Sequence, residues 1–227
     1  MQGWNARVTP RGMASFPHPP PAMRAAIDAL VLRDPRLAPI EMAAGPLPWR
    51  VRQPGFPGLL QAIVAQMISN QAARAIWGRV EALPGVGTPA GLLALEDAAL
   101  LGAGLSRPKT AHARALAAAF LDGRLMGLEA LDDAAALAAI TAVKGLGPWT
   151  AEVYLLFALQ REDVFPGGDI AVAGAAADLL GLAVRPGPVA LRAIAEAWRP
   201  HRALAARLLW HHWRHITGRP SMDESPE

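Results

Sequence analysis

Two short stretches hold the residues best suited to chemistry. One is Val143–Lys144–Gly145–Leu146–Gly147–Pro148–Trp149–Thr150–Ala151, and the other is Val164–Phe165–Pro166–Gly167–Gly168–Asp169. In the first, two glycines flank an apolar residue, which permits backbone geometry that a Cβ would obstruct. Pro148 then stands where the first turn of a helix can do without an N–H. The N–H groups left over at such a start, with the helix dipole behind them, form a site for an anion. Leu146 can point inward and lock two helices together. The second stretch places a carboxylate, Asp169, at the start of the next helix. There it can cap the helix or do acid–base and electrostatic work. Taken together, the two suggest a turn that grips a phosphate backbone with a carboxylate beside it. Taken separately, they are a plain helix–helix turn and a plain N-cap, and spacing alone leaves both open.

Other candidates carry less. Leu83–Pro84–Gly85–Val86–Gly87–Thr88 has the same look as the first turn, but Pro89 and Ala90 follow it instead of a Thr–Ala pair. The helix before it also carries the bulky Trp77, so it reads as a loop. His211 and His215 stand four apart on one helix, a spacing that suits metal ligands. They have no evident third ligand and no companion glutamate, so no metal is expected.

The surrounding elements read as helices. Hydrophobic residues make up 52% of the 227 residues. Alanine and leucine fill the periodic stretches while β-branched runs are scarce, which favours an all-α protein. Residues 1–21 are proline-rich and aperiodic, and read as a flexible arm. A first helix is expected over Ala22–Arg33, followed by proline-broken loops as far as Gly58. Leu59–Ile68 and Gln71–Leu83 have helical spacing. Thr88, Ser106 and Asp132 or Asp133 stand where N-caps belong. Helices are then expected over Pro148–Leu159, from Asp169 to Leu180, and in Gly187–Trp198 and Pro200–Ile216, with an acidic tail over 221–227.

Composition excludes several chemistries. The chain has no cysteine, which removes disulfides, cysteine-ligated zinc and iron–sulfur clusters. No run reaches the ~18 apolar residues of a membrane span, so a soluble cytoplasmic protein without a membrane partner is expected. The only lysines are Lys109 and Lys144, which limits lysine nucleophiles. Net charge is +3, yet seven arginines and one acid lie between Arg185 and Arg219. A face of that kind suits a phosphate backbone, or is simply a solvated helical surface.

Val143–Ala151 together with Asp169 resembles the helix-hairpin-helix DNA glycosylase superfamily, and within it the DNA-3-methyladenine glycosylase II branch. Ile63–Ser69, Gly104–Lys109 and Trp198–Arg202 running on to Trp210 resemble further motifs of that branch. The likeness covers roughly Pro57 to Gly218. It implies two helical subdomains, residues 58–165 and residues 22–57 with 166–220, with the active-site cleft between them. With so few residues before Gly58, the extra N-terminal α/β domain of some members is not expected.

The resemblance also implies roles. Asp169 is the catalytic carboxylate. Gly145, Leu146, Gly147 and Thr150 belong to the DNA-binding hairpin. Met67 is the wedge that fills the gap left by an extruded base, with Gln66 beside it. Trp149 and Trp210 line the base pocket. Bifunctional members carry a lysine where this chain has Trp149, so simple hydrolysis to an abasic site is expected. The branch commonly has a tyrosine where Val153 stands, with Tyr154 one position further, so a wider pocket is expected. A monovalent cation at hairpin carbonyls near Gly145 and Gly147 is a family possibility. The expected protein is a nucleoid-associated bacterial monomer acting on damaged bases in double-stranded DNA, with alkylated purines as substrates. Deaminated or etheno bases, or a silent DNA-binding module, are the alternatives.

Overall fold

In the computed structural model, residues 7–8 and 13–218 are described. β1 (Arg7–Val8) and β2 (Met13–Phe16) pair antiparallel, with Arg7 opposite Ser15 and Val8 opposite Ala14. α1 (Pro21–Arg33) and α2 (Pro39–Ala44) follow, and β3 (Trp49–Arg52) joins β2 to complete a three-stranded sheet. Next come α3 (Gly55–Ala65), α4 (Asn70–Glu81), α5 (Pro89–Ala94), α6 (Asp97–Gly102), α7 (Arg107–Leu121), α8 (Asp133–Thr141) and α9 (Pro148–Phe157). The chain closes with α10 (Ile170–Leu179), α11 (Pro188–Ala195) and α12 (Arg202–Thr217). The expected acidic tail, 221–227, lies outside the described residues, as does part of the expected arm.

The fold is helical, as expected, with one small three-stranded sheet added to it. Proline content predicts an irregular arm and loops over 35–57, yet strands form in both and α2 lies between them. Trp49–Arg52 is only four residues long and bounded by prolines at 48 and 54. Such a strand shows no measurable periodicity, and its pairing partner is remote in sequence.

The chain divides into two compact units. One gathers Ala14–Val51 with the residues from Gln160 onward, and the other is Arg52–Leu159. The boundaries fall some six residues earlier than the motif positions suggested. In the first unit, Ile27, Leu30, Leu37 and Ile40 are buried, as are Trp198, Leu204, Leu208 and Leu209. The Trp198 indole N–H donates to Asp34 Oδ2 (2.9 Å), and the Arg36 guanidinium beside Asp34 holds its carboxyl below the usual range. In the second unit, α3 packs against α4, α7 and α9, and buries Leu59, Leu60, Ile63 and Val64. Each such side chain contributes ~1.5–3 kcal/mol on burial. No helix among the described residues is long and apolar enough to cross a membrane.

Candidate functional site

The turn between α8 and α9 is built around Gly145. Its φ is +92°, and a Cβ there would lie 2.1 Å from the His112 ring of α7. Only glycine meets both demands. Leu146 is buried and its N–H donates to the Val143 carbonyl (3.0 Å). Gly147 is the N-cap of α9 and Pro148 its first residue, so no side chain caps this helix. The first α9 N–H to find an intrahelical carbonyl is that of Ala151, on Gly147 (3.1 Å). A helix start without a side-chain cap is a place where an anion can bind.

The end of α3 braces this turn from within the same unit. Gln66 Nε2 donates to the Gly145 carbonyl (2.9 Å) and to Thr150 Oγ1 (3.2 Å). Thr150 is buried. Gln66 and Thr150, expected from sequence as DNA contacts, are thus joined to each other and to the hairpin. Met67 follows with φ +57° and its side chain 100% exposed. A left-handed backbone at a non-glycine residue costs about 1 kcal/mol, and exposure of a large apolar side chain adds to the anomaly. Lys109, on the first turn of α7, donates Nζ to the Val64 carbonyl (2.7 Å) at the end of α3. Burial lowers its pKa from the usual lysine range. The sequence marked Lys109 by its rarity and as the end of the Gly104–Lys109 motif, and assigned it no role.

Asp169 lies in the other unit. It is the N-cap of α10, and its Oδ1 accepts from the N–H groups of Ala171 (2.8 Å) and Val172 (2.9 Å). It is 9% exposed. The loop before it is tightly turned, with the Gly167 N–H on the Phe165 carbonyl and the Asp169 N–H on that of Pro166. Arg192 of α11 donates to the Phe165 carbonyl (2.9 Å) and lies against Gly167, where a Cβ would come within 2.6 Å of its Cγ. The sequence showed Arg192 only as one of the arginines of 185–219. Its partner is a backbone carbonyl 27 residues away.

Trp149, on the first turn of α9, is 44% exposed, while Trp210 on α12 is half-buried. Val153 is buried, and the Tyr154 hydroxyl accepts the Gly55 N–H (2.8 Å) at the start of α3. Tyr154 is thus committed to holding α3 on α9. His211 does not pair with His215. Its Nε2–H donates to the Gly45 carbonyl (2.8 Å), and Nδ1 accepts from Arg214 (3.1 Å). Among the described residues no group of three or more His, Cys, Asp or Glu could hold a metal ion.

The arginine-rich tract also differs from its sequence reading. Arg202 grips Asp163 with two nitrogens (2.9 and 3.0 Å) and reaches Glu196, and Arg199 bonds the same two acids. Arg207 is buried, with its guanidinium 4.0 Å from the Trp49 ring centroid and a hydrogen bond to the Arg50 carbonyl. With Arg192 and Arg214 also engaged, most of the described arginines of the tract hold their own unit together.

No protein-family model matches the chain. It is 28% identical over 158 residues to a DNA-3-methyladenine glycosylase of Schizosaccharomyces pombe, covering 67% of this chain and 69% of that protein. It is 34% identical over 130 residues to the DNA-3-methyladenine glycosylase of Saccharomyces cerevisiae, covering 52% of this chain and 44% of that one. Among solved structures, the DNA-3-methyladenine glycosidase of Bacillus halodurans superposes with a TM-score of 0.72 at 32% identity. That match covers 90% of this chain and 94% of the other.

Proposed function

The chain belongs to the helix-hairpin-helix DNA glycosylase superfamily, alongside the DNA-3-methyladenine glycosylases, and from that premise we propose that it is monofunctional, hydrolysing the N-glycosidic bond of alkylated purines in duplex DNA. It is an alkylbase DNA glycosylase and hence a hydrolase. The observation that carries the proposed mechanism is the fixing of Asp169, whose Oδ1 is held by two backbone N–H groups at the start of α10.

Cleavage of the C1′–N bond sends its electron pair to the base and leaves positive charge on the sugar. A preorganised carboxylate stabilises that charge and orients a water, whose hydroxyl adds to C1′ as its proton is removed. One carboxylate suffices when the leaving purine is already cationic through N3 or N7 alkylation, because it departs neutral without a general acid. Trp149 stands where a lysine would be needed for a Schiff base, so the product is an abasic site and the strand stays intact.

The remaining parts have matching roles. The Gly145–Gly147 turn holds a phosphate at the start of α9. Met67, fully exposed, fills the gap left by the extruded base. Trp149 and Trp210 offer aromatic faces to a cationic base, an interaction worth ~0.5–2 kcal/mol. The carbonyls of Gly145 and Gly147 each accept one N–H, from Gln66 and Ala151, and each keeps a second lone pair. A monovalent cation would be held there and would add positive charge beneath the phosphate.

Replacing Asp169 with asparagine keeps a side-chain oxygen for the cap and removes the charge. Release of 3-methyladenine and 7-methylguanine from methylated duplex DNA should fall on the order of a thousandfold, with DNA affinity retained. Near-wild-type release by Asp169→Asn would refute the assignment. The same assay on deaminated and etheno purines defines the substrate range.

A further inference from the structure

We propose that Lys109 is a positioning residue for Met67, setting the wedge turn independently of the phosphate-binding hairpin; this rests on the reading of Met67 as the wedge. Met67 has its side chain wholly in solvent and its backbone in the left-handed region. Its own contacts do not hold it there, so its neighbours must. Two polar groups flank the turn. On the hairpin side, Gln66 ties the turn to Gly145 and Thr150. On the other, Lys109 places its ammonium on the Val64 carbonyl, one of the last α3 carbonyls, which lack intrahelical partners. A cation at a helix C-terminus is also favoured by the dipole.

Lys109 is well fixed for this task. It lies on the first turn of α7, where the Ser106 hydroxyl accepts its backbone N–H (3.4 Å), and α7 packs along α3. Burial disfavours its charge, and the hydrogen bond to the Val64 carbonyl offsets that cost. Gln66 ties the turn to the hairpin, while Lys109 fixes where α3 ends and thus the direction in which Met67 leaves it. Loss of Lys109 should spare the grip on undamaged DNA and weaken insertion into the stack.

The test compares Lys109→Met, Lys109→Arg and Met67→Ala. The probe is a duplex carrying a stable abasic-site analogue beside 2-aminopurine, whose fluorescence rises when its neighbour is unstacked. In Lys109→Met, the insertion signal at saturating enzyme should fall about fivefold and kcat on methylated DNA about tenfold, with lesion-free duplex affinity within about twofold of wild type. Lys109→Arg, which keeps a donor, should restore most of both. The proposal is overturned if Lys109→Met keeps insertion and kcat within about twofold of wild type. It is also overturned if insertion and lesion-free binding fall together with the melting temperature, or if Lys109→Arg restores nothing. Met67→Ala separates this proposal from the reading beneath it. If that variant loses insertion while Lys109→Met does not, only the role of Lys109 fails. If Met67→Ala inserts like wild type, Met67 is not the wedge and both readings fall.

Discussion

Leu83–Thr88 and Val143–Pro148 lie in the same unit and share a plan. Each has a left-handed first glycine, with φ +75° at Gly85 and +92° at Gly145, and each buries the apolar residue that follows, Val86 or Leu146. They part at a single residue. Between Gly87 and Pro89 stands Thr88, whose hydroxyl donates to the Gly85 carbonyl (3.1 Å) and accepts the Gly91 N–H (3.1 Å). Between Gly147 and Pro148 there is nothing. One turn satisfies its helix start with its own side chain, while the other leaves the start of α9 without a side-chain cap. The helix behind the capped turn, α5, has six residues, against ten in α9. The consensus of glycines and an apolar residue therefore specifies a turn. The residue just before the proline decides whether a side chain caps the helix that follows.

Four variants would break or sharpen this contrast. The largest effect is expected from Gly145→Ala, which drives a Cβ into the His112 ring. Affinity for lesion-free duplex, measured by anisotropy, should fall on the order of tenfold or more. The matched Gly85→Ala should cost about 1 kcal/mol of stability and leave affinity unchanged. Equal loss of affinity in the two would end the distinction. A smaller effect is expected from inserting a threonine between Gly147 and Pro148 to reproduce the capped turn. The variant should fold, bind DNA several-fold more weakly, and lower the slope of log K against log salt by about one. An unchanged slope would show that the start of α9 holds no phosphate. Smallest is Thr88→Ala, which should cost about 1 kcal/mol in urea unfolding and leave the salt slope alone.

Much of this was legible locally. Ser69, Thr88, Ser106 and Asp132 each accept a backbone N–H at the helix start where their residue types belong. Asp169 is the cap that its place after two glycines suggested. Both glycine turns were visible too, because a positive φ is a property of one residue. What escaped reading depends on distant partners. Lys109 meets Val64 across 45 residues and Gln66 meets Gly145 across 79, and neither separation leaves a periodic trace. The partners of the arginines of 185–219 were hidden for the same reason. Charge count is read from sequence, but whether Arg202 faces solvent or Asp163 is settled by packing. β3 and α2 were too short for hydrophobic period to separate them from loop.

Tyr154 is the only tyrosine in the chain, and its phenol bridges α9 to the first turn of α3. Burial pushes its pKa above the ordinary tyrosine value. The native state therefore resists ionisation that the unfolded chain undergoes near pH ~10, and alkali above that value works against this unit. Absorbance of the tyrosinate thus carries the signal of a single site. It acts as a built-in clock for the parting of α3 from α9, readable without any label.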